Sequence, residues 1–285
     1  MSATISNSFA AQFEAEVHTA YQRMGSKLTN CVRKKNNVKN TTTFQKIGKG
    51  SAGQKTRHGN VPTMSLDHTP LTATLADYYA ADYVDKLDEL RIEHDERAVV
   101  ANAIAGAMGR KSDQILFETM DTCTSVTSEG GTVGLVTAAS RSKVETVFES
   151  FGNGDVPDDG ERYAVIAPSA WIDLLTQAAF TSADYIKSED LPFQGGMVAK
   201  RWLSFMWFVH SGVPVVSTTI RKNYFFHKTA LGFASGQDVK SEINYIPEKV
   251  AHLVTAYLQQ GAVLIDNTGI YEVQSYGAVS FSGGE

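Results

Sequence analysis

The sequence predicts an α+β protein, and three observations carry the prediction. One helical period fills residues 94–120. Two shorter amphipathic helices, at 140–151 and from Pro168 onward, enclose a buried strand at 162–167. From Met197 onward, short runs rich in β-branched and aromatic residues alternate with turn residues. Helices and strands thus fall in blocks. With 285 residues, 42% of them hydrophobic, the chain can bury one large core or two small ones.

Residues 94–120 form the strut on which the rest is hung. Val99, Val100, Ile104, Met108, Ile115, Leu116 and Met120 recur mostly at spacings of three, four and seven, which places them on one helix face. Alanines between them favour the helix, and Asp95 and Glu96 in the first turn complement its dipole. Gly106 and Gly109 oppose it by about 1 kcal/mol each. At about 1.5 Å per residue the run spans roughly 40 Å.

The remaining elements follow in chain order. Residues 2–25 are polar, with a weak amphipathic run (Phe13, Val17, Tyr21, Met24) that suits a short helix on an arm. Residues 29–40 are basic, with slight strand character. Residues 41–71 carry Gly48, Gly50, Gly53, Gly59 and Pro62, and read as a two-stranded projecting arm with glycines near its tip. Residues 75–90 are acidic and partly helical. After the strut, 122–137 is a Ser/Thr/Gly loop. In the helix at 140–151, Val144, Val147, Phe148 and Phe151 share one face. Pro168 opens a helix where its missing N–H is harmless, and that helix buries Trp171, Leu174 and Leu175.

Residues 181–196 are loop, and 197–209, with Trp202, Phe205, Trp207 and Phe208, read as strand. Residues 213–217, 224–227 and 231–234 are short strand candidates, and alternation extends from Val239 to Ile246. Residues 249–260 fit a helix or a strand. A closing hairpin is read at 262–265 and 270–273 around Asp266-Asn267-Thr268-Gly269.

Charge is unevenly placed. Residues 18–66 contain no Asp or Glu and ten cations: Arg23, Lys27, Arg33, Lys34, Lys35, Lys39, Lys46, Lys49, Lys55 and Arg57. With a whole-chain charge of −5, the remainder carries −15. Such a strap either binds nucleic acid or lies across the acidic body of a neighbouring copy. Only Tyr21 and Phe44 offer stacking rings in it, which favours the protein partner. Residues 82–96, with Asp82, Asp85, Asp88, Glu89 and Glu93, supply a matching acidic surface.

Chemical motifs are absent. Gly48-Lys49-Gly50-Ser51-Ala52-Gly53-Gln54-Lys55-Thr56 imitates a phosphate-binding loop, but Gln54 puts the lysine out of register and no helix follows. The seven histidines are scattered, with no HExxH or CxxC spacing, so neither a metal nor another cofactor is expected. Asp155, Asp158, Asp159 and Glu161 form an acidic turn too short for a calcium loop. No GxSxG elbow occurs, and no catalytic residue can be named. Cys31 and Cys123 form neither a ligand pair nor a disulfide framework, which suits a reducing compartment. Residues 1–9 show no leader pattern, and no apolar run of 18 residues exists to span a membrane.

The order of parts, with the stretches GRKSDQILFETM, RYAVIAPSAWIDLL, NYFFHKTALGFASG and GAVLIDNTGIYEVQ, resembles the major capsid proteins of tailed bacteriophages, the Hong Kong 97-type shell fold. The resemblance implies an N-terminal arm (1–40), an extended loop (41–71) lying over the adjacent subunit, a peripheral domain (72–123) whose spine is the strut, and an axial domain (124–248). Residues 249–285 would return to the peripheral domain as long strands, which turns 249–260 towards strand.

It further implies a structural, non-enzymatic subunit. Copies would assemble as pentamers and hexamers into an icosahedral virion shell around double-stranded DNA, with assembly in the host cytoplasm. A portal, a separate scaffolding protein (no long scaffold-like N-terminal segment is seen) and a decoration protein are the further partners. The expected contacts between copies join Arg33, Lys34, Lys35, Lys46, Lys49, Lys55 and Arg57 to Asp82, Asp85, Asp88, Glu89 and Glu93. Some shells of this type cross-link lysine to asparagine; Lys46, Lys49 or Lys55 with Asn267 would be the candidates, although no motif fixes the pair. The alternatives are an encapsulin-like shell around protein cargo, a nucleic-acid-binding module acting through 18–66, and a soluble enzyme.

Overall fold

The computed structural model describes residues 25–89, 95–127, 135, 143–175, 200–217 and 220–276. The chain divides into two compact units. One takes in Asp77–Lys111 and Gln237–Gln259 with the N-terminal residues to Ser26; the other takes in Lys27–Ala76, Ser112–Gly236 and the chain from Gln260.

The strut forms α2 (Glu96–Met120), whose residues to Lys111 belong to the first unit and the rest to the second; it follows β4 (Ala76–Asp85) and the single turn α1 (Lys86–Glu89). Asp95 caps α2 by accepting the Ala98 N–H at 3.3 Å. Two sequence periods meet here. Tyr78, Ala80 and Val84 of β4, and Val254, Ala256 and Leu258 of β12 (Ala251–Leu264), alternate along their strands. They pack on Val100, Ala101, Ile104 and Met108, which recur at helical spacing. Gly109 is required on the helix: a Cβ there would stand 2.6 Å from the Gly25 Cα. The link from β11 (Leu231–Ile246) to β12 is a tight turn in which Val250 takes a left-handed φ of 50°, and Lys249 lies 3.9 Å over the Tyr83 ring.

The second unit centres on a seven-stranded sheet. Its order is β5 (Val126–Thr127), β13 (Ile270–Tyr276), β10 (Ile220–His227), β6 (Arg162–Ile166), β8 (Phe205–Val209), β7 (Lys200–Trp202), with β9 (Val215–Ser217) on the far end of β10. β6 and β8 run parallel, as do β13 and β5; the other pairs are antiparallel. Leu203 and Ser204, both at positive φ, turn β7 into β8. Helices α3 (Lys143–Asn153) and α4 (Pro168–Leu175) place Val144, Val147, Phe151, Trp171 and Leu174 in one core with Phe205, Trp207, Tyr224 and Phe225. Asn223 stitches the sheet from within: its Oδ1 accepts the Ala167 N–H (2.8 Å), and its Nδ2 donates to Val273 O and Ser275 Oγ.

Also in this unit, β2 (Thr41–Ile47) pairs antiparallel with β3 (His68–Thr74), and residues 48–67 between them have no regular structure. Phe44 of β2 is fully buried against Gly232, where a Cβ would meet the ring at 2.8 Å. Strand β1 (Arg33–Lys35) adds in parallel to the start of β11, giving a four-stranded order β1-β11-β12-β4.

Several expectations need correction. The stretch at 75–90 is mainly strand: Tyr78, Ala80 and Val84 are needed on one face of a sheet, and a helix would scatter them. The two strands expected at 231–234 and 239–246 are one, β11; the turn of 249–260 towards strand, by contrast, holds from Ala251, where β12 begins. The closing hairpin does not form. Asn267–Gly269 is a 3₁₀ turn that carries the chain from β12 in one sheet to β13 in the other. Phe148 faces solvent, while Val144, Val147 and Phe151 are buried. The run at Phe13–Met24, the loop at 181–196 and the first residues of the strand at 197–209 lie outside the described residues, as do 140–142 of the helix and most of the 122–137 loop.

Candidate assembly surfaces

From Lys27 onward the basic segment lies in the second unit, where seven of its cations divide into two sets. Arg33 and Lys35 of β1 flank the Phe44 ring at 5.8 and 4.6 Å. Lys35 donates to Thr43 O (2.6 Å), and Lys34 to Asn30 Oδ1 (2.9 Å). Lys46 pairs with Asp266 at 2.7 Å, and Lys49 with Asp155 at 2.8 Å and Gly154 O at 3.2 Å. These five are held by their own chain. Lys55 and Arg57 are exposed within 48–67.

The acidic residues lie in the first unit. Asp82 and Asp85 are exposed, and each accepts a nearby backbone N–H, from Tyr83 and Leu87 respectively. The side chains of Asp88 and Glu89, and Glu93 as a whole, fall outside the described residues.

Asp266 shows what the strap does within one chain. Burial pushes its carboxyl up, but hydrogen bonds from Lys46 and Thr268 outweigh this and hold it below its ordinary value. Asn267, next in sequence, is engaged at both ends of its amide: Oδ1 accepts the Thr124 N–H (2.9 Å), and Nδ2 donates to Thr124 Oγ1.

The acidic turn serves as an internal clamp. Asp155 takes Lys49, Asp158 accepts from Ser204, Asp159 accepts the Glu161 N–H and meets His227 at 3.1 Å, and Glu161 pairs with Lys228. Arg162, buried beneath it, donates to Val156 O and Pro157 O. No group of three metal-ligating side chains occurs among the described residues.

Two buried polar groups were not found from sequence. Asp113, on α2, meets His210 Nε2 at 2.9 Å and accepts the backbone N–H groups of Lys27 and Leu28. Its signal was available: Asp113 stands three and seven residues before Leu116 and Met120, in phase with the buried stripe. At the end of α2, Lys222 pairs with Asp121 and lies 3.7 Å from Glu272, while Tyr224 donates to Asp121. Burial pushes the Lys222 ammonium down, yet the two carboxylates more than offset this and raise it above the usual lysine value. The thiols of Cys31 and Cys123 are pushed up to about 11, chiefly by burial, so both are protonated at neutral pH.

These contacts tie segments of the one chain to each other. Residues 5–276 match the phage capsid protein family. No match is found among curated proteins. Among solved structures, the capsid of the cyanophage P-SCSP1u is similar at 14% identity, over 95% of this chain and 94% of that one, with a TM-score of 0.73. The mature capsid of bacteriophage PhiM1 is similar at 12% identity, over 92% and 90%, with a TM-score of 0.70. The capsid of the cyanophage Pam1 is similar at 15%, over 97% and 100%, with a TM-score of 0.68. At such identities the likeness establishes the fold, which is the Hong Kong 97-type α+β fold.

Proposed function

This chain belongs to the phage capsid protein family, and we propose that, as the major subunit of the capsid shell, it assembles with copies of itself as pentamers and hexamers into the icosahedral container of a tailed phage's double-stranded DNA. The observation that carries the reading is the family match across nearly the whole chain on a fold shared with capsid subunits. The role is structural, and the chemistry required is mutual recognition without catalysis. Assembly takes place in the host cytoplasm, with a portal, a separate scaffolding protein and a decoration protein as further partners.

Within this reading, residues 1–40 are the arm, 41–71 the extended loop, 72–123 and 249–285 the peripheral domain, and 124–248 the axial domain. The compact unit that joins Asp77–Lys111 to Gln237–Gln259 supports the peripheral assignment for 77–111 and 249–259. The contact between copies joins the basic segment, through Lys55 and Arg57 first, to Asp82, Asp85, Asp88, Glu89 and Glu93 of a neighbour. Exposure of Lys55, Arg57, Asp82 and Asp85 supports it. Purification of particles tests the contents: DNA inside fits the proposal, whereas shells holding only a protein cargo would replace it with a compartment shell.

A further inference from the structure

The first unit stacks lysine on tyrosine repeatedly. Lys111 stands 4.9 Å over the Tyr78 ring, Lys249 3.9 Å over Tyr83, Lys86 5.6 Å over Tyr245 and Lys240 5.9 Å over Tyr257. All eight residues belong to that unit. The face of an aromatic ring carries partial negative charge, so a cation within about 6 Å of its centre is attracted. Tyr79 is the fifth described tyrosine of the unit, and it is 72% exposed.

The strand around Tyr79 uses one pattern twice. β4 packs Tyr78, Ala80 and Val84 on the strut, so Asp77, Tyr79, Ala81, Tyr83 and Asp85 share the opposite face, and all five are exposed. Their order is acid, ring, alanine, ring, acid. In the half made by Tyr83 and Asp85 the ring already carries a cation, Lys249. The half made by Asp77 and Tyr79 has the same parts: an exposed ring, and a carboxylate about 7 Å along the strand. A guanidinium suits that pair, because it is flat enough to stack on the ring and its N–H groups fork to a carboxylate.

The second unit presents such a group. Thr56–Gly59 is a turn closed by the Gly59 N–H donating to Thr56 O at 3.0 Å, with His58 at a left-handed φ of 65°. Arg57 is the second residue of that turn and stands exposed at its corner.

We infer that Tyr79 and Asp77 are the docking site for Arg57 of a neighbouring copy: the guanidinium lies over the Tyr79 ring and its edge meets the Asp77 carboxylate. The inference rests on the strap reading and fixes where the strap docks. The contact is heterologous, one copy giving the arginine and the next the ring, so it passes from subunit to subunit around a closed ring.

The threshold concentration for assembly tests it. Tyr79→Ala and Arg57→Ala should each raise that threshold about threefold or more, and the double mutant should be no worse than the worse single, because all three lose the same contact. Tyr79→Phe keeps the ring and should assemble like the wild type. None of these changes should shift the unfolding midpoint of the unassembled chain. Capture gives a second measure. Shells carrying Tyr79→p-benzoylphenylalanine, irradiated, should yield a band of twice the 31.0 kDa chain mass, with the cross-link falling within residues 48–67. Additive losses in the double mutant, failure of Tyr79→Phe to assemble, or capture of another segment or of the same chain overturns the inference. A harmful Arg57→Ala beside a harmless Tyr79→Ala would overturn the site and leave the strap reading standing. If neither change had an effect, both would fall.

Discussion

Asp113 and His210 meet at 2.9 Å with both side chains almost wholly buried, although 97 residues separate them. His210 Nδ1 accepts the Gly212 N–H at 3.0 Å, so Nε2 carries the proton and donates to Asp113. Asp113 also accepts the Lys27 and Leu28 N–H groups, at 3.3 and 3.1 Å. One carboxylate therefore joins α2, the end of β8 and the segment entering the second unit. Removing it leaves two buried donors, on His210 and Leu28, and the part-buried Lys27 N–H without their acceptor. Asp113→Ala should cost about 2–5 kcal/mol in urea unfolding of the unassembled chain, at about 1–3 kcal/mol for each buried donor left unsatisfied. A loss below about 1 kcal/mol would show that water replaces the carboxylate.

The Lys222 cluster makes a paired prediction. Glu272 is 2% exposed, with Lys222 as its nearby cation and Gln274 Nε2 donating to it at 2.9 Å. Lys222→Met leaves that charge uncompensated and should cost about 3–5 kcal/mol. Adding Glu272→Leu should recover at least half, because the uncompensated buried charge goes with it. A double mutant as unstable as the sum of the singles would contradict this.

Phe44 and Gly232 form a fitted pair. Gly232→Ala drives a methyl to 2.8 Å from the ring, and should cost about 1–3 kcal/mol by overpacking. Phe44→Leu should lessen that penalty when the two are combined, as read by thermal unfolding.

The Lys46–Asp266 pair predicts a pH dependence whose sign follows from its direction. The folded carboxyl lies below its ordinary 3.8, so its contribution is present above that value and is lost as pH falls through the folded one. Both side chains are more than a third exposed, and solvent screening holds the contribution to less than about 1 kcal/mol. Lys46→Ala should therefore destabilise slightly at pH 7 and have almost no effect near pH 2. A constant difference across that range would assign the effect to packing.

The same local geometry bears on cross-linking. Asn267 has both ends of its amide engaged by Thr124, and Lys46 is held by the neighbouring Asp266. Boiled, reduced shells should run as a single band at 31.0 kDa. A ladder of multiples would show that the amide leaves Thr124 for a lysine of another copy.

Much of this fold was legible because burial imposes a period. The strut, the helix at Lys143–Asn153, the strand at Arg162–Ile166 and the helix opened by Pro168 each bury a face whose spacing is written in local sequence. Reading failed where tertiary pairing decides. β4 looks helical because its alanines and aspartates are depleted in strands; it becomes strand because β12 lies beside it. The turn at Asp266–Gly269 resembles a hairpin turn, yet Ile270 onward pairs with β10, and only the sheet partner distinguishes the two. Among the charged residues, the composition of the strap was plain, but its division into cations held by Asp155 and Asp266 and cations left exposed needed coordinates.

Salt tests the strap contact. Exposed charge pairs are screened over about 8 Å at physiological ionic strength and about 3 Å at 1 M. Raising NaCl should weaken assembly progressively, and Lys55→Gln with Arg57→Gln should flatten that dependence while leaving the unassembled chain's stability unchanged. Assembly indifferent to salt would remove the strap from the contact.

The capsid reading itself is tested most directly by negative-stain microscopy of the purified chain, with light scattering on the same sample. Closed shells, or rings of five and six subunits, are predicted. A uniform monomer or dimer at every concentration and salt, with its scaffolding partner supplied, would contradict it.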